Sequence, residues 1–146
     1  MTPDLLLVHY HEIGLKGRNR PHFEQALRRN LKAALGEAAE GVRLVSGRVE
    51  VTGPKPDALE RVIRVFGVAN VAPVVVAPAA LEAITARALE VAEDADAVAP
   101  FATFGVRARR ARTSFPTESA QVNVVVGEAI RTKLAKKVDL SGPDLW

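Results

Sequence analysis

Leu5-Leu6-Leu7-Val8-His9-Tyr10-His11-Glu12-Ile13-Gly14-Leu15-Lys16-Gly17-Arg18-Asn19-Arg20-Pro21 is the stretch from which the fold of the N-terminal half can be read. Its first six residues are the short apolar run of a buried strand. Two glycines and three cations then form a loop, and Pro21 stands where the first helical turn accepts a residue without an N–H. Phe23, Ala26, Leu27, Leu31, Ala34 and Leu35 follow at helical spacing, and Gly36 is placed to stop them. Further out, the apolar residues of 42–45 and 49–51 flank Ser46-Gly47-Arg48 as a hairpin would. Asp57 and Glu60 have the spacing of a capping box, ahead of Leu59, Val62, Ile63 and Phe66 in a helix that Gly67 would end. Residues 71–76 read as another strand. The order strand, helix, strand, strand, helix, strand predicts an α+β, ferredoxin-like βαββαβ domain over residues 1–77.

Pro78 and the small residues around it mark a boundary, and residues 78–146 are read as a second, α/β domain. A helix over 81–93 puts Leu81, Ile84, Ala88, Leu89 and Ala92 on one face. Phe104-Gly105-Val106-Arg107-Ala108-Arg109 alternates strictly, which predicts a strand with Phe104, Val106 and Ala108 toward the core and Arg107 and Arg109 on the other side. Residues 118–136 read as a helix through Val122, Val125, Val126, Ala129, Ile130 and Leu134, although Val124-Val125-Val126 alone would suit a strand. Residues 138–146 read as a turn entering a strand, so this domain is expected to be incomplete at its C-terminal end.

The 146 residues contain no cysteine, which excludes a disulfide scaffold, a thiol nucleophile, a persulfide relay and Cys-ligated metal. No apolar run reaches the roughly 18 residues of a membrane-spanning helix, and no secretory leader precedes the first strand, so a cytoplasmic location without membrane association is expected. Charge is unevenly spread. Residues 9–32 hold six Lys or Arg against two Asp or Glu, residues 81–98 one against five, and residues 104–137 eight against two. Two basic segments around an acidic one suit a polyanion-binding face with a solvated far side.

In the loop 14–20, glycines for close backbone approach, the cations Lys16, Arg18 and Arg20, the amide of Asn19 and a helix N-terminus make a phosphate site. Gly14-Leu15-Lys16-Gly17 also matches the bare G-x-x-G of single-strand-binding domains. A solvated surface turn is the alternative. The second cluster is Arg107, Arg109, Arg110 and Arg112, whose guanidinium forks grip phosphates bidentately and stack on bases. Its alternative is an edge strand kept soluble by charge. Lys133, Lys136 and Lys137, with Arg131, crowd the end of the last helix, where cations suit the macrodipole. Tyr10, Phe115 and Trp146 are the candidate stacking platforms. His9, His11 and His22 do not make a ligand set, and no nucleotide loop or nucleophile elbow is present, so neither a metal site nor catalytic residues are expected. Glu12, beside Lys16, is read as positioning the loop rather than as a base.

Residues 12–20 with Phe23-Glu24 resemble the N-terminal signature of the tRNA 4-thiouridine synthases, which also supply sulfur for the thiamine thiazole. Val65-Phe66-Gly67-Val68 fits the phrase closing that family's first domain, and residues 104–110 with Phe115-Pro116, Ser119 and Val126-Gly127 are similar to its THUMP domain. The resemblance implies a ferredoxin-like domain plus a THUMP domain holding the acceptor stem and 3′ end of tRNA for a separate catalytic domain. By position it places Lys16, Arg18, Asn19 and Arg20 in the first signature and Arg107, Arg109, Arg110 and Arg112 in the THUMP strand. That catalytic domain is a PP-loop ATP pyrophosphatase with sulfur-carrying cysteines. Ser141-Gly142-Pro143-Asp144 is only an echo of its loop, so no cofactor is expected for this chain and ATP only for the missing domain. A PP-loop domain, a cysteine desulfurase and a second copy of the chain are the further expected partners. A stand-alone ferredoxin-like regulatory or assembly module, binding a metabolite or a protein through its sheet edge, remains the alternative.

Overall fold

A computed structural model describes residues 1–11 and 17–146; the readings placed on Glu12, Gly14 and Lys16 lie outside the described residues. The chain forms two compact units, Thr2–Val76 and Ala77–Trp146.

The first unit runs β1 (Leu5–Tyr10), α1 (Asn19–Leu35), a 3-10 turn (Gly36–Ala38), β2 (Gly41–Val45), β3 (Arg48–Thr52), α2 (Ala58–Ile63) and β4 (Val68–Val74). Its sheet has the order β2-β3-β1-β4, the ferredoxin-like arrangement. β1 is antiparallel to β3 on one edge and to β4 on the other. Period-two alternation sends Leu6, Val8 and Tyr10 inward with Val49 and Val51 of β3, under Leu27, Leu31 and Leu35 of α1 and Ala58 and Val62 of α2. β2 and β3 are joined by a two-residue loop, Ser46-Gly47, in which Gly47 takes φ +81°. Pro73 lies in β4, an edge strand, where a missing N–H is tolerated.

The second helix differs from its expectation. α2 ends at Ile63, and Phe66, expected among the apolar residues of this helix, lies beyond it and is 92% exposed, with Ile63 at 57%. A Cβ on Gly67, which has φ +94°, would lie 2.9 Å from Phe23 Cζ, so the chain turns here on a glycine and turns Phe66 outward. Val65 and Val68 pack on the core instead. No capping box forms either; the Asp57 carboxylate accepts a hydrogen bond from Arg61 Nε at 2.8 Å.

The second unit runs α3 (Leu81–Val98), β5 (Thr103–Phe104), α4 (Ser119–Leu134) and β6 (Lys137–Val138). α3 continues past residue 93, since no breaker precedes Pro100. Val124-Val125-Val126 is helical: Val122, Val126 and Ile130 recur at i+4 and bury one stripe against Phe101, Phe104 and Ala92. The expected strand over 104–109 has only its first residue in β5, which pairs in parallel with β6. A parallel bridge from Phe104 to Leu145 flanks it on the other side. Among the described residues no helix is long and apolar enough to cross a membrane.

Leu31→Ala, in the wholly buried centre of the first unit, is expected to destabilise it by about 2–5 kcal/mol. Phe66→Ser should change stability by about 0.5 kcal/mol or less. Urea-denaturation midpoints of the two variants check the contrast.

Candidate nucleic-acid interface

α1 begins without the usual capping chemistry. Arg18 occupies the N-cap position, its side chain makes no capping hydrogen bond, and the first turn contains no acidic residue. Cations at a helix N-terminus oppose the macrodipole, so this end is electrostatically open to an anion. Arg18 and Asn19 are exposed. Arg20 is braced: its Nε donates to Glu24 Oε1 at 2.9 Å, and the same oxygen accepts the Tyr10 hydroxyl at 2.6 Å. Those two bonds hold the Glu24 carboxyl below the usual range, while burial and then the bond to Glu24 push the Tyr10 phenol up. Tyr10 is 5% exposed and tilted against Phe23, so it is a core residue and no stacking platform.

Arg29 and Lys32 are not among the residues singled out from the sequence. Both are exposed, and with Arg18 and His22 they fall within an arc of about 80° on α1 at 100° per residue. Helical phase was the available signal.

In the second unit the arginines occupy residues 105–112, beyond the end of β5. Arg107, Arg109, Arg110 and Arg112 are all exposed. The Arg107 guanidinium lies 4.0 Å from the ring centre of Trp146, and Arg110 Nη1 donates to the Phe115 carbonyl at 3.2 Å. Trp146 reaches this place because Gly105 has no side chain: a Cβ there would stand 2.6 Å from Trp146 Cζ3. Arg109, Arg110 and Arg112 line a cleft of about 360 Å³ together with Ile84, Phe115 and Ser119. Its apolar wall, half-buried phenyl ring and the three arginines of its lining suit a flat aromatic group carrying negative charge.

The lysines behave differently from one another. Lys133 and Lys137 are exposed. Lys136 is tied to Asp96 at 2.7 Å and sits 5.0 Å from the ring centre of Phe101, so it joins α3 to the segment after α4. Among the described residues no group of His, Cys, Asp or Glu is arranged to hold a metal ion.

The family model of the ThiI ferredoxin-like domain matches residues 5–72, and that of the THUMP domain matches residues 78–146. Residues 5–72 are thus a ThiI ferredoxin-like domain and residues 78–146 a THUMP domain. A probable tRNA sulfurtransferase of Moorella thermoacetica is 41% identical over 143 residues, 95% of this chain and 36% of the relative. Another, from Brevibacillus brevis, is 35% identical over 99% of this chain and 37% of its own length. The chain thus spans little more than a third of the relatives it matches. A crystal structure of a 4-thiouridine synthetase–RNA complex with bound ATP superposes with a TM-score of 0.87 at 27% identity, covering 98% of this chain and 37% of that one. PH1313 from Pyrococcus horikoshii gives 0.79 at 34% identity, covering 96% and 48%.

In the THUMP domain, Asp144 anchors the segment that carries Trp146. Its Oδ2 accepts the Thr103 N–H, the Ala102 N–H and the Thr103 hydroxyl at 2.9–3.0 Å, and these bonds lower its pKa. A depressed carboxyl stabilises the fold above the unfolded pKa of about 3.9 and loses that contribution as pH falls through the lower folded value. Emission from Trp146, the single tryptophan, is therefore expected to shift to the red in Asp144→Ala at neutral pH. In the parent protein the same shift should appear only below about pH 4.

Proposed function

We propose that this chain binds tRNA and recognises its acceptor end, presenting a uridine for 4-thiouridine formation by a catalytic domain that these residues do not supply. In this reading the chain is the recognition part of a sulfurtransferase whose sulfur also serves thiamine thiazole synthesis. The carrying observation is the cleft lined by Arg109, Arg110, Arg112 and Phe115. Unpaired nucleotides can be splayed out and stacked on an aromatic ring or a guanidinium plane while their phosphates are gripped; paired bases cannot be stacked in this way. A cleft of about 360 Å³ has room for one nucleoside, and the unpaired 3′ end of tRNA offers one. Arg18, Asn19 and Arg20 are the proposed phosphate contacts of the ferredoxin-like domain, and Lys133 and Lys137 further contacts of the THUMP domain. The relatives named as tRNA sulfurtransferases and the solved RNA complex support this assignment.

Binding of unmodified tRNA should weaken steeply with salt, by about 0.7 in log K per log salt for each single-strand phosphate contact. Arg109→Glu with Arg112→Glu is expected to cost at least tenfold in affinity, whereas Glu90→Lys with Glu93→Lys on α3 should not weaken binding. A tRNA lacking its unpaired 3′ nucleotides should bind more weakly than intact tRNA. Fluorescence anisotropy against salt measures all three, and equal affinity for intact tRNA and duplex DNA of the same length would refute acceptor-end recognition.

A further inference from the structure

The arginine segment alternates like a strand but, among the described residues, has no strand beside it after Gly105. The last ladder contact is the Gly105 N–H donating to the Leu145 carbonyl at 2.9 Å. Beyond it, the Ala108 N–H donates to Asn123 Oδ1 at 2.6 Å and the Arg110 N–H to Ser119 Oγ at 2.9 Å. Both acceptors are side chains of α4. Four residues on a helix rise about 6 Å, and two residues of extended chain advance about 6.6 Å. Side chains at i and i+4 of a helix therefore present acceptors at nearly the repeat of alternate strand amides. α4 takes the place of a neighbouring strand.

That substitution has a directional consequence. N–H groups of an extended chain alternate in direction, so with Ala108 and Arg110 turned to α4, the amides of Arg107 and Arg109 face away from it. Val106 and Ala108 pack on the core while Arg107 and Arg109 stay exposed. Without the two acceptors, the amides of Ala108 and Arg110 would be left without partners, and the segment without its register, which a slip of one residue reverses.

We propose that Asn123 and Ser119 are positioning residues for RNA recognition: they fix the register of residues 106–110 so that Arg107 and Arg109 meet successive phosphates together. Asn123 lies outside the lining of the arginine cleft and need not touch RNA, whereas Ser119 also lines that cleft. Asparagine at 123 supplies the acceptor without adding negative charge among four arginines, as aspartate would. The inference rests on the RNA reading above, but its structural half can be tested apart from it.

The test uses the whole chain and unmodified transcribed tRNA. In Asn123→Ala, amide exchange followed by NMR should accelerate at least tenfold at Ala108 while Phe104 and Gly105 keep their protection. The slope of log K against log salt should fall by about 0.7 for each phosphate that the variant no longer grips. A weaker fold alone would lower affinity without changing that slope. Ser119→Ala should do the same at Arg110, and it carries the test if the Asn123 variant does not fold. Accelerated exchange at Ala108 with unchanged affinity and slope overturns the proposal, as does unchanged exchange. Failure of the parent chain to bind tRNA at all would instead refute the RNA reading, and with it the role given to these two residues.

Discussion

Leu6 and Val8 sit in a strand hydrogen-bonded along both edges and covered on one face by two helices, and their removal from water organises the ferredoxin-like domain. Once β1 is central, β3 and β4 must flank it, and α1 and α2 must lie over the face that Leu6, Val8 and Tyr10 present. The loop after β1 then has to lead into the N-terminus of α1. The position of the cation-bearing helix start follows from the placement of a core strand.

The THUMP domain obeys a similar constraint with fewer strands. Phe104 is nearly inaccessible and is flanked by β6 and by Leu145. The residues after it continue away from the ladder, yet their amides still need acceptors. Asn123 and Ser119 meet that need, and so a helix whose other face fills the core also orders the arginines. Arg107 is held on Trp146 and Arg110 on the Phe115 carbonyl, which limits the rotamer freedom a bound anion would otherwise have to quench.

Much of this is legible in the sequence. Periodicity locates β1, α1, the hairpin and α4, because a buried stripe and a two-residue turn leave local marks. Periodicity tells which way a side chain points but not what lies in that direction. Phe66 has the spacing of the helix's apolar residues, and only the fold reveals that the helix ends at Ile63 and leaves it exposed. Residues 104–109 alternate like a strand, and nothing local announces that their hydrogen-bond partners are helical side chains. Lys136 looks like a free cation in the sequence because its partner, Asp96, lies forty residues earlier. Tyr10 looks like a stacking platform there because its bond to Glu24 forms only when α1 folds back over β1.

Among the described residues no charged side chain is buried, and no buried side-chain polar atom lacks a partner. The cores of the two units hold apolar groups, while the charges of the candidate interface stand outside them. Arginines in such positions can be gained, lost or moved by mutation at little cost to folding. The scaffold could therefore drift among nucleic-acid targets while its folded architecture stayed the same, with Asn123 and Ser119 as the fixed points against which a new set of arginines would be arranged.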